Sequence, residues 1–375
     1  MKILYLNCSG FASHTGSLAL TYSQVRDILR RGHEFVHVYY MDELQHFWAG
    51  DRSTTLKRLS ESGFLLHVEA CDAVVVNGEG TLHHRRGRDL LCALALAQEI
   101  GKPTYLVNTV IQDVVGFDDV LHSLDDFTVR DQMSFDYLKG RGIASRIVLD
   151  SIIDADFDPK PDIDLSGMVV CSDWHQARDN DVGRMIWDFS KSHKRTFFYP
   201  LLHAHELFRW QHVVANWEQA ELILTGRQHG VYLAGLAGVP FVAFPSNTHK
   251  VEGLVKLCGL PIPICYAPSD LDERIAFAKG NPSVFKEFQS FLNSHRPLTT
   301  FQGLGYDETR RVSESQAKEG VDGFFRELRK RQLQVPWIVN AYRSRFFRRR
   351  KIGTKLLSWA RRVIKMAKVR ISDGT

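Results

Sequence analysis

The chain is poor in several features that mark whole protein classes. Its six cysteines, Cys8, Cys71, Cys92, Cys171, Cys258 and Cys265, are scattered through 375 residues without a CxxC pair. Most fall inside predicted strands or helices, which argues against a disulfide framework and for reduced, buried thiols of a cytosolic protein. Neither CxxC nor HExxH spacing occurs, so no metal is expected. No apolar run approaches the roughly 20 residues a membrane span requires. Met1 and Lys2 lead straight into a short apolar strand, Ile3 to Asn7, too short for a signal-peptide core, so no secretory leader is expected.

Acid is scarce in one place only. Residues 341–375 hold twelve Lys/Arg and a single acid, Asp373. The whole chain's +5 less this segment's +11 leaves −6 for residues 1–340. A mildly acidic body with a strongly basic end points to an anionic partner for that end.

What is present is an alternation of strands and helices. Apolar strands are expected at Ile3–Asn7, Glu34–Tyr40, Ala73–Asn77, Thr104–Asn108, Phe127–Arg130 and Arg146–Leu149. Between them lie a helix from Ser17, its expected cap, to Arg31, and helices at Thr54–Ala70, Asp89–Ile100 and Gln132–Lys139. Residues 156–165, with Pro159, Pro161 and several Asp, read as a linker. A second set follows: strands Met168–Ser172, Thr196–Pro200, Glu221–Thr225 and Phe241–Phe244. Its helices are Asp179–Lys191, His205–Trp217, one after Thr225, His249–Cys258, Asp270–Ala278 and Pro282–Leu292. Near-continuous Val/Ile/Leu strands separated by helices imply parallel sheets covered on both faces. The expected fold is therefore α/β, two Rossmann-like domains (1–155 and 166–300) facing a cleft, a helical connector at 301–340, and a basic tail at 341–375. Ligands of such sheets bind beyond the carboxyl ends of the strands.

Three motifs fall at such ends. In Leu224-Thr225-Gly226-Arg227-Gln228-His229-Gly230, Arg227 and His229 sit where a small-residue helix begins. Free N–H groups and the helix dipole there, with an Arg and a His, make a site for a phosphate or carboxylate, and the His can move a proton near neutral pH. The alternative is a surface Arg and a capping His. In Asn77-Gly78-Glu79-Gly80-Thr81-Leu82-His83-His84 the glycines allow close approach of a ligand, Glu79 is placed to take a hydroxyl proton, and His83 and His84, with Thr81 in the same loop, to meet a polar substrate. The alternative is a plain turn, from Gly78 to Arg88, with an exposed acid. The spacing is not GxGxxG, so no dinucleotide site is read. In Val129-Arg130-Asp131, Arg130 is either a second anion ligand or the partner of a nearby acid, and Asp131 reads as a helix cap. Lys250 follows the last strand and either reaches the cleft or is merely solvated. His203 and His205 read as surface or cleft-lining histidines.

These pieces, in this order, resemble the polysaccharide pyruvyl transferase family. The resemblance rests on Asn77-Gly78-Glu79-Gly80, on Val129-Arg130-Asp131 with Ser134 and Leu138, and on Gly226-Arg227-Gln228-His229-Gly230 with Ala234, Gly238, Pro240, Lys250 and Gly253. It spans about residues 1–265 and implies a glycosyltransferase-B-like pair of domains with phosphoenolpyruvate as donor. The family's Arg-x-His falls on Arg227 and His229, which implies donor binding by the first and proton transfer by the second. Arg130, Gly226, Gly230 and Lys250 are carried over as donor-binding residues. Where the family often has three glycines, this chain has an acid, Glu79.

Such a transferase protonates the methylene carbon of its donor and forms an oxocarbenium-like centre beside a carboxylate, to which sugar hydroxyls add as a ketal. It needs an acid (His229), cations (Arg227, Arg130) and a base (Glu79). Transfer of a keto-sugar acid, Kdo- or sialic-acid-like, from a CMP donor makes nearly the same demands. A non-catalytic glycan-binding or scaffold relative is the third reading. No cofactor beyond the donor substrate is expected.

In the tail, Lys355–Ile371 places Leu356, Leu357, Trp359, Val363, Ile364, Met366 and Ile371 on one side of a helix and Lys355, Arg361, Arg362, Lys365 and Lys368 on the other. That is an interfacial amphipathic helix. The expectation is a cytoplasmic transferase held at the anionic inner face of the membrane by 341–375. It would act on a lipid-linked or polymeric glycan, as in lipopolysaccharide or capsule assembly. Nucleic acid is disfavoured as a partner by the acidic body.

Overall fold

The structure, a computed structural model, describes residues 1–10, 14–202 and 208–334. The first domain runs β1 (Lys2–Cys8), α1 (Thr15–Arg30), β2 (Glu34–Tyr40), α2 (Arg52–Ser60), α3 (Gly63–Ala70), β3 (Ala73–His83), α4 (Arg88–Glu99), β4 (Thr104–Gln112), α5 (Asp118–His122), β5 (Asp126–Val129), α6 (Gln132–Lys139) and β6 (Arg146–Ile147). Its six strands are all parallel, in the order β2-β1-β3-β4-β5-β6. The second domain runs β7 (Val169–Trp174), α7 (Val182–Ser192), β8 (Thr196–Tyr199), α8 (Val213–Glu218), β9 (Leu222–Gly226), α9 (Gln228–Ala237), β10 (Phe241–Ala243), α10 (Lys250–Cys258), α11 (Leu271–Gly280) and α12 (Pro282–Ser294). Its four parallel strands lie in the order β10-β9-β7-β8. Val74, Val75 and Val76 of β3 and Leu222, Ile223 and Leu224 of β9 are fully buried, as strands covered on both faces must be.

α9 is apolar or small almost all round, so it sits wholly inside the second domain. Its glycines let it approach its neighbours. A Cβ on Gly230 would run into the Thr225 side chain, and one on Gly235 into Phe288.

Several expectations are corrected. The stretch Gly78–Arg88 is not all loop, because β3 continues through Gly78-Glu79-Gly80 to His83. It does so because β4 runs on beside it to Gln112 and supplies ladder partners, with an irregularity between Glu79 and Leu82. The Thr54–Ala70 helix is two, broken so that Ser62 caps α3. Ser17 does not cap α1. His14 does, its Nδ1 accepting the N–H groups of Gly16 and Ser17, which frees the Ser17 hydroxyl for another partner. Of the expected His205–Trp217 helix, the described part is a short turn at Trp210–His212 followed by α8; His203 and His205 lie outside the described residues. The expected connector carries a long helix, α13 (Glu314–Gln334), that packs back on the first domain. Ala317, Val321 and Leu328 are buried, and Phe324 meets Phe35 of β2 with ring centroids 5.4 Å apart. The basic tail lies outside the described residues.

Both sheets point their carboxyl ends at a common boundary. There the N-terminus of α1 touches the second domain, Thr15 N–H donating to the Leu201 carbonyl at 2.8 Å.

Candidate active site

Three neighbouring strands of the first sheet carry a left-handed residue toward their carboxyl ends: Asn7 (φ 60°) in β1, Glu79 (φ 42°) in β3 and Asn108 (φ 56°) in β4. Asparagine tolerates this region; a longer side chain such as Glu pays about 1–2 kcal/mol. The two asparagines and Asn77 build a buried polar floor. Asn7 Nδ2 donates to the Asn77 carbonyl (2.6 Å), and Asn108 Nδ2 to Asn77 Oδ1 (3.2 Å). Gln24 of α1 joins through Asn77 Oδ1 (3.3 Å) and Ser151 Oγ (3.0 Å). Thr81 is tied in by Asn7 Nδ2 at 3.2 Å.

Glu79 rises from this floor. Ser17 Oγ donates to its Oε1 at 3.0 Å, while the buried Oε2 has no hydrogen-bond partner among the described residues. From the other domain, His229 in the first turn of α9 brings Nε2 to 3.9 Å from Glu79 Oε1 and 3.3 Å from Asp150 Oδ2. The His229 ring lies on the α-carbon of Gly16, where a Cβ would collide with it, and meets the His14 ring edge-on at 5.2 Å between centroids.

Arg130 is fully buried and its Nη1 pairs with Asp150. The reading as partner of a nearby acid is thus realised, yet its Nη2 faces Gly80. A Cβ built on Gly80 would lie 3.7 Å from that nitrogen and 3.5 Å from Lys250 Nζ. Asp131 caps α6 as expected, accepting from Ser134 N–H at 2.9 Å. Arg227 stands at the N-cap of α9, which has no side-chain cap. Its Nε donates to Asp173 Oδ2 at 2.6 Å. Gly226 and Gly78 are packing positions, closed by Trp174 and Thr109.

Lys250 opens α10. Its Nζ donates to Asn247 Oδ1 (2.7 Å), and Asn247 Nδ2 lies 3.1 Å from His83 Nε2, a chain that links the two domains. Burial, then Arg130 and Arg227, pull Lys250 down to about 7, against the smaller opposing pull of Glu79 and Asp150. Burial, with Arg86 and Lys250, takes His83 down to about 4, so it is neutral near pH 7 and offers hydrogen bonds, not charge. Burial, Lys250 and Arg227 likewise take His175, just past β7, down to about 3. In Asp150, burial alone would raise the carboxyl, but Arg130 and His229 hold it well below the usual carboxylate range.

The structure thus brings Glu79, Gly80, His83, Arg130, Arg227, His229 and Lys250 to one boundary between the domains. His14, Ser17, Asp150, Asp173, His175 and Asn247 join them unforeseen. Three cations converge closely enough for two to depress the third, beside an uncapped helix N-terminus. Buried polar atoms of Glu79, His83, Arg130, Gln228, His229 and Thr248 there lack aligned partners. Buried groups in such number are normally satisfied. Among the described residues no group of three His, Cys, Asp or Glu is arranged to hold a metal ion.

The family model for polysaccharide pyruvyl transferase matches residues 14–248, a span that contains every one of these residues except Lys250. No curated protein matches the chain. Among solved structures, a UDP-GlcNAc 2-epimerase from Neisseria meningitidis bound to UDP-GlcNAc superposes with a TM-score of 0.51 at 10% identity, over 87% of this chain and 100% of that one. A UDP-GlcNAc 2-epimerase from Methanocaldococcus jannaschii gives 0.49 at 13% identity, over 87% and 99%. Spinosyn rhamnosyltransferase complexed with thymidine diphosphate gives 0.46 at 14% identity, over 78% and 96%. At such identity the first of these speaks for the fold alone, and the fold is the expected glycosyltransferase-B-like pair of Rossmann-like domains.

Proposed function

The chain belongs to the polysaccharide pyruvyl transferase family and is a transferase; on that footing we propose that the cleft takes phosphoenolpyruvate as donor and delivers its pyruvyl group to a sugar as a cyclic ketal. The observation that carries this reading is the convergence of Arg130, Arg227 and Lys250 beside His229. A small donor bearing a phosphate and a carboxylate supplies the negative charge that three crowded cations favour.

The residues divide the chemistry as follows. Arg227, Lys250 and the Nη2 side of Arg130 hold the anionic groups, with the N–H groups at the start of α9. His229 donates its proton to the methylene carbon, which becomes the methyl group while C2 becomes oxocarbenium-like. A sugar hydroxyl adds to C2 and Glu79 takes its proton. A second hydroxyl then adds as the C2–O bond to phosphate breaks, and its proton leaves with the phosphate. Once the products leave, Glu79 loses its proton to solvent and His229 regains one from it, so each turnover restores both groups. His83, neutral, orients a polar substrate group.

No helix of the described residues is long and apolar enough to cross a membrane. The basic segment 341–375 would hold the protein at an anionic membrane surface, where a lipid-linked or polymeric glycan is assembled. Cytoplasmic placement at the inner face, and acceptors of the lipopolysaccharide or capsule type, belong to the same reading.

A binding screen of the full chain tests the donor. Calorimetric titration should show phosphoenolpyruvate binding and no binding of CMP-linked keto sugars. Binding of the CMP-sugars alone would replace the pyruvyl donor with a glycosyl donor.

A further inference from the structure

β3 and β4 keep step up to Glu79, which stands opposite Thr109, and again from Leu82, opposite Ile111. Between those pairs two residues, Gly80 and Thr81, face one, Val110, which makes a β-bulge. A glycine inside a strand weakens it and calls for a reason. The two usual reasons are absent at Gly80. Its φ is not positive, so the backbone does not require glycine, unlike that of Gly87 (φ 73°) in the turn that follows. Nor is it packed shut, as Gly78 is by the Thr109 side chain. Gly80 is only partly buried, and beyond its chain neighbours a Cβ there would meet two atoms within 4 Å. They are Lys250 Nζ at 3.5 Å and Arg130 Nη2 at 3.7 Å.

These two nitrogens come from different domains. Arg130 follows β5 in the first, and Lys250 opens α10 in the second. Asp150 takes Arg130 Nη1, while Nη2 makes no hydrogen bond among the described residues. Lys250 gives one N–H to Asn247 Oδ1 at 2.7 Å and has two more to give. An oxygen entering the gap would settle at hydrogen-bond distance from either nitrogen, about 2.7–3.2 Å. A methyl group in the same place would hold such an oxygen away from both.

We propose that Gly80 is a specificity-determining residue: the absence of a side chain keeps open a cradle in which the donor's carboxylate bridges Arg130 Nη2 and Lys250 Nζ and so ties the two domains together. This rests on the reading of phosphoenolpyruvate as donor. Two nitrogens around one small gap suit a carboxylate, with one oxygen for each. The phosphate, which has more oxygens to satisfy, falls to Arg227 and the N–H groups at the start of α9.

Calorimetric titration of the full chain carrying Gly80→Ala tests it with three probes: phosphoenolpyruvate, pyruvate, which keeps the carboxylate without the phosphate, and inorganic phosphate. The added methyl meets no listed neighbour closer than 3.5 Å, so the variant should fold and melt like the parent. Affinity for phosphoenolpyruvate and for pyruvate should each fall about tenfold or more, the loss of charge-assisted hydrogen bonds, while inorganic phosphate stays within about threefold. Lys250→Met leaves Gly80 alone and removes one side of the cradle. Below pH 7, where Lys250 is cationic, it should weaken pyruvate more than inorganic phosphate, and it decides alone if Gly80→Ala does not fold. Parent-like affinity of Gly80→Ala for both carboxylates overturns the proposal, as does an equal or greater loss for inorganic phosphate. A wild type that binds pyruvate but not phosphoenolpyruvate would remove the donor reading, and the cradle would then stand or fall on the pyruvate result. A wild type that binds neither overturns both.

Discussion

Asp173 holds Arg227 by one nitrogen only. Its Oδ2 accepts from Arg227 Nε at 2.6 Å, its Oδ1 accepts Leu201 N–H at 2.9 Å, and the two terminal nitrogens of Arg227 make no hydrogen bond among the described residues. The guanidinium is braced from behind by the neighbouring strand and presents its fork forward. Arg227→Lys keeps the charge but gives one nitrogen to two tasks. Phosphoenolpyruvate affinity should fall about tenfold or more in calorimetry, roughly 1.4 kcal/mol, with little change in thermal stability. Unchanged affinity would remove Arg227 from the donor site.

Glu79 occupies a left-handed backbone position that a glycine would fill without strain. Glu79→Gln should slow transfer about a hundredfold, the usual share of a general base, and leave donor affinity nearly as in the parent. Glu79→Gly should be as slow, yet its stability should stay within about 1 kcal/mol of the parent. Relief of the strain there offsets the freer unfolded chain and the lost Ser17 hydrogen bond. Parent-like turnover in either variant would make Glu79 a turn residue.

Much of this was legible beforehand, because long apolar strands and a helix starting at Arg227-Gln228-His229 announce themselves in one window of sequence. What escaped notice depends on distance along the chain. Asp150 follows a strand of two residues, and its partners Arg130 and His229 lie 20 and 79 positions away, so only the fold reveals the chain of contacts. Asp173 lies in an ordinary buried strand and His175 just after it, and both gain meaning only from Arg227 and Lys250. Ser17 was misread because a local capping rule was applied where His14 caps instead; a free Ser hydroxyl three residues after a His in a cap position is the signal that was available. The glycine-rich segment looked like a turn because β-ladder partners are invisible locally.

Lys250 gives the site a pH dependence. Its pKa lies near 7, below the ordinary lysine value, so it is cationic below that pH and neutral above it. Phosphoenolpyruvate affinity should therefore fall as pH rises through about 7, beyond the range near 6 where a phosphate monoester itself titrates. Lys250→Met should bind more weakly at low pH and lose that part of the slope. Affinity rising with pH in the wild type, or an unaltered slope in the variant, would contradict the assignment.

The tail carries its own expectation. A chain ending near Asn340 should keep both domains folded, since the described helices and sheets end at Gln334. It should act on a soluble acceptor analogue and no longer sediment with vesicles of anionic lipid. Full-length protein should bind such vesicles less tightly as salt rises, because the screening length shortens from about 10 Å at 0.1 M to about 3 Å at 1 M. Sedimentation of the shortened chain equal to that of the full one would place the anchor elsewhere.

The central claim is that His229 protonates phosphoenolpyruvate as its pyruvyl group is passed to a sugar. The direct measurement is turnover of phosphoenolpyruvate in D₂O with a diol-bearing sugar acceptor, followed by phosphate release and by NMR of the product methyl group. Wild type should release one phosphate per ketal and place one deuterium in each methyl group, while His229→Ala, still folded, should do so about a hundredfold or more slowly. A ketal methyl without deuterium, or a His229→Ala variant that turns over like the parent, would contradict the account.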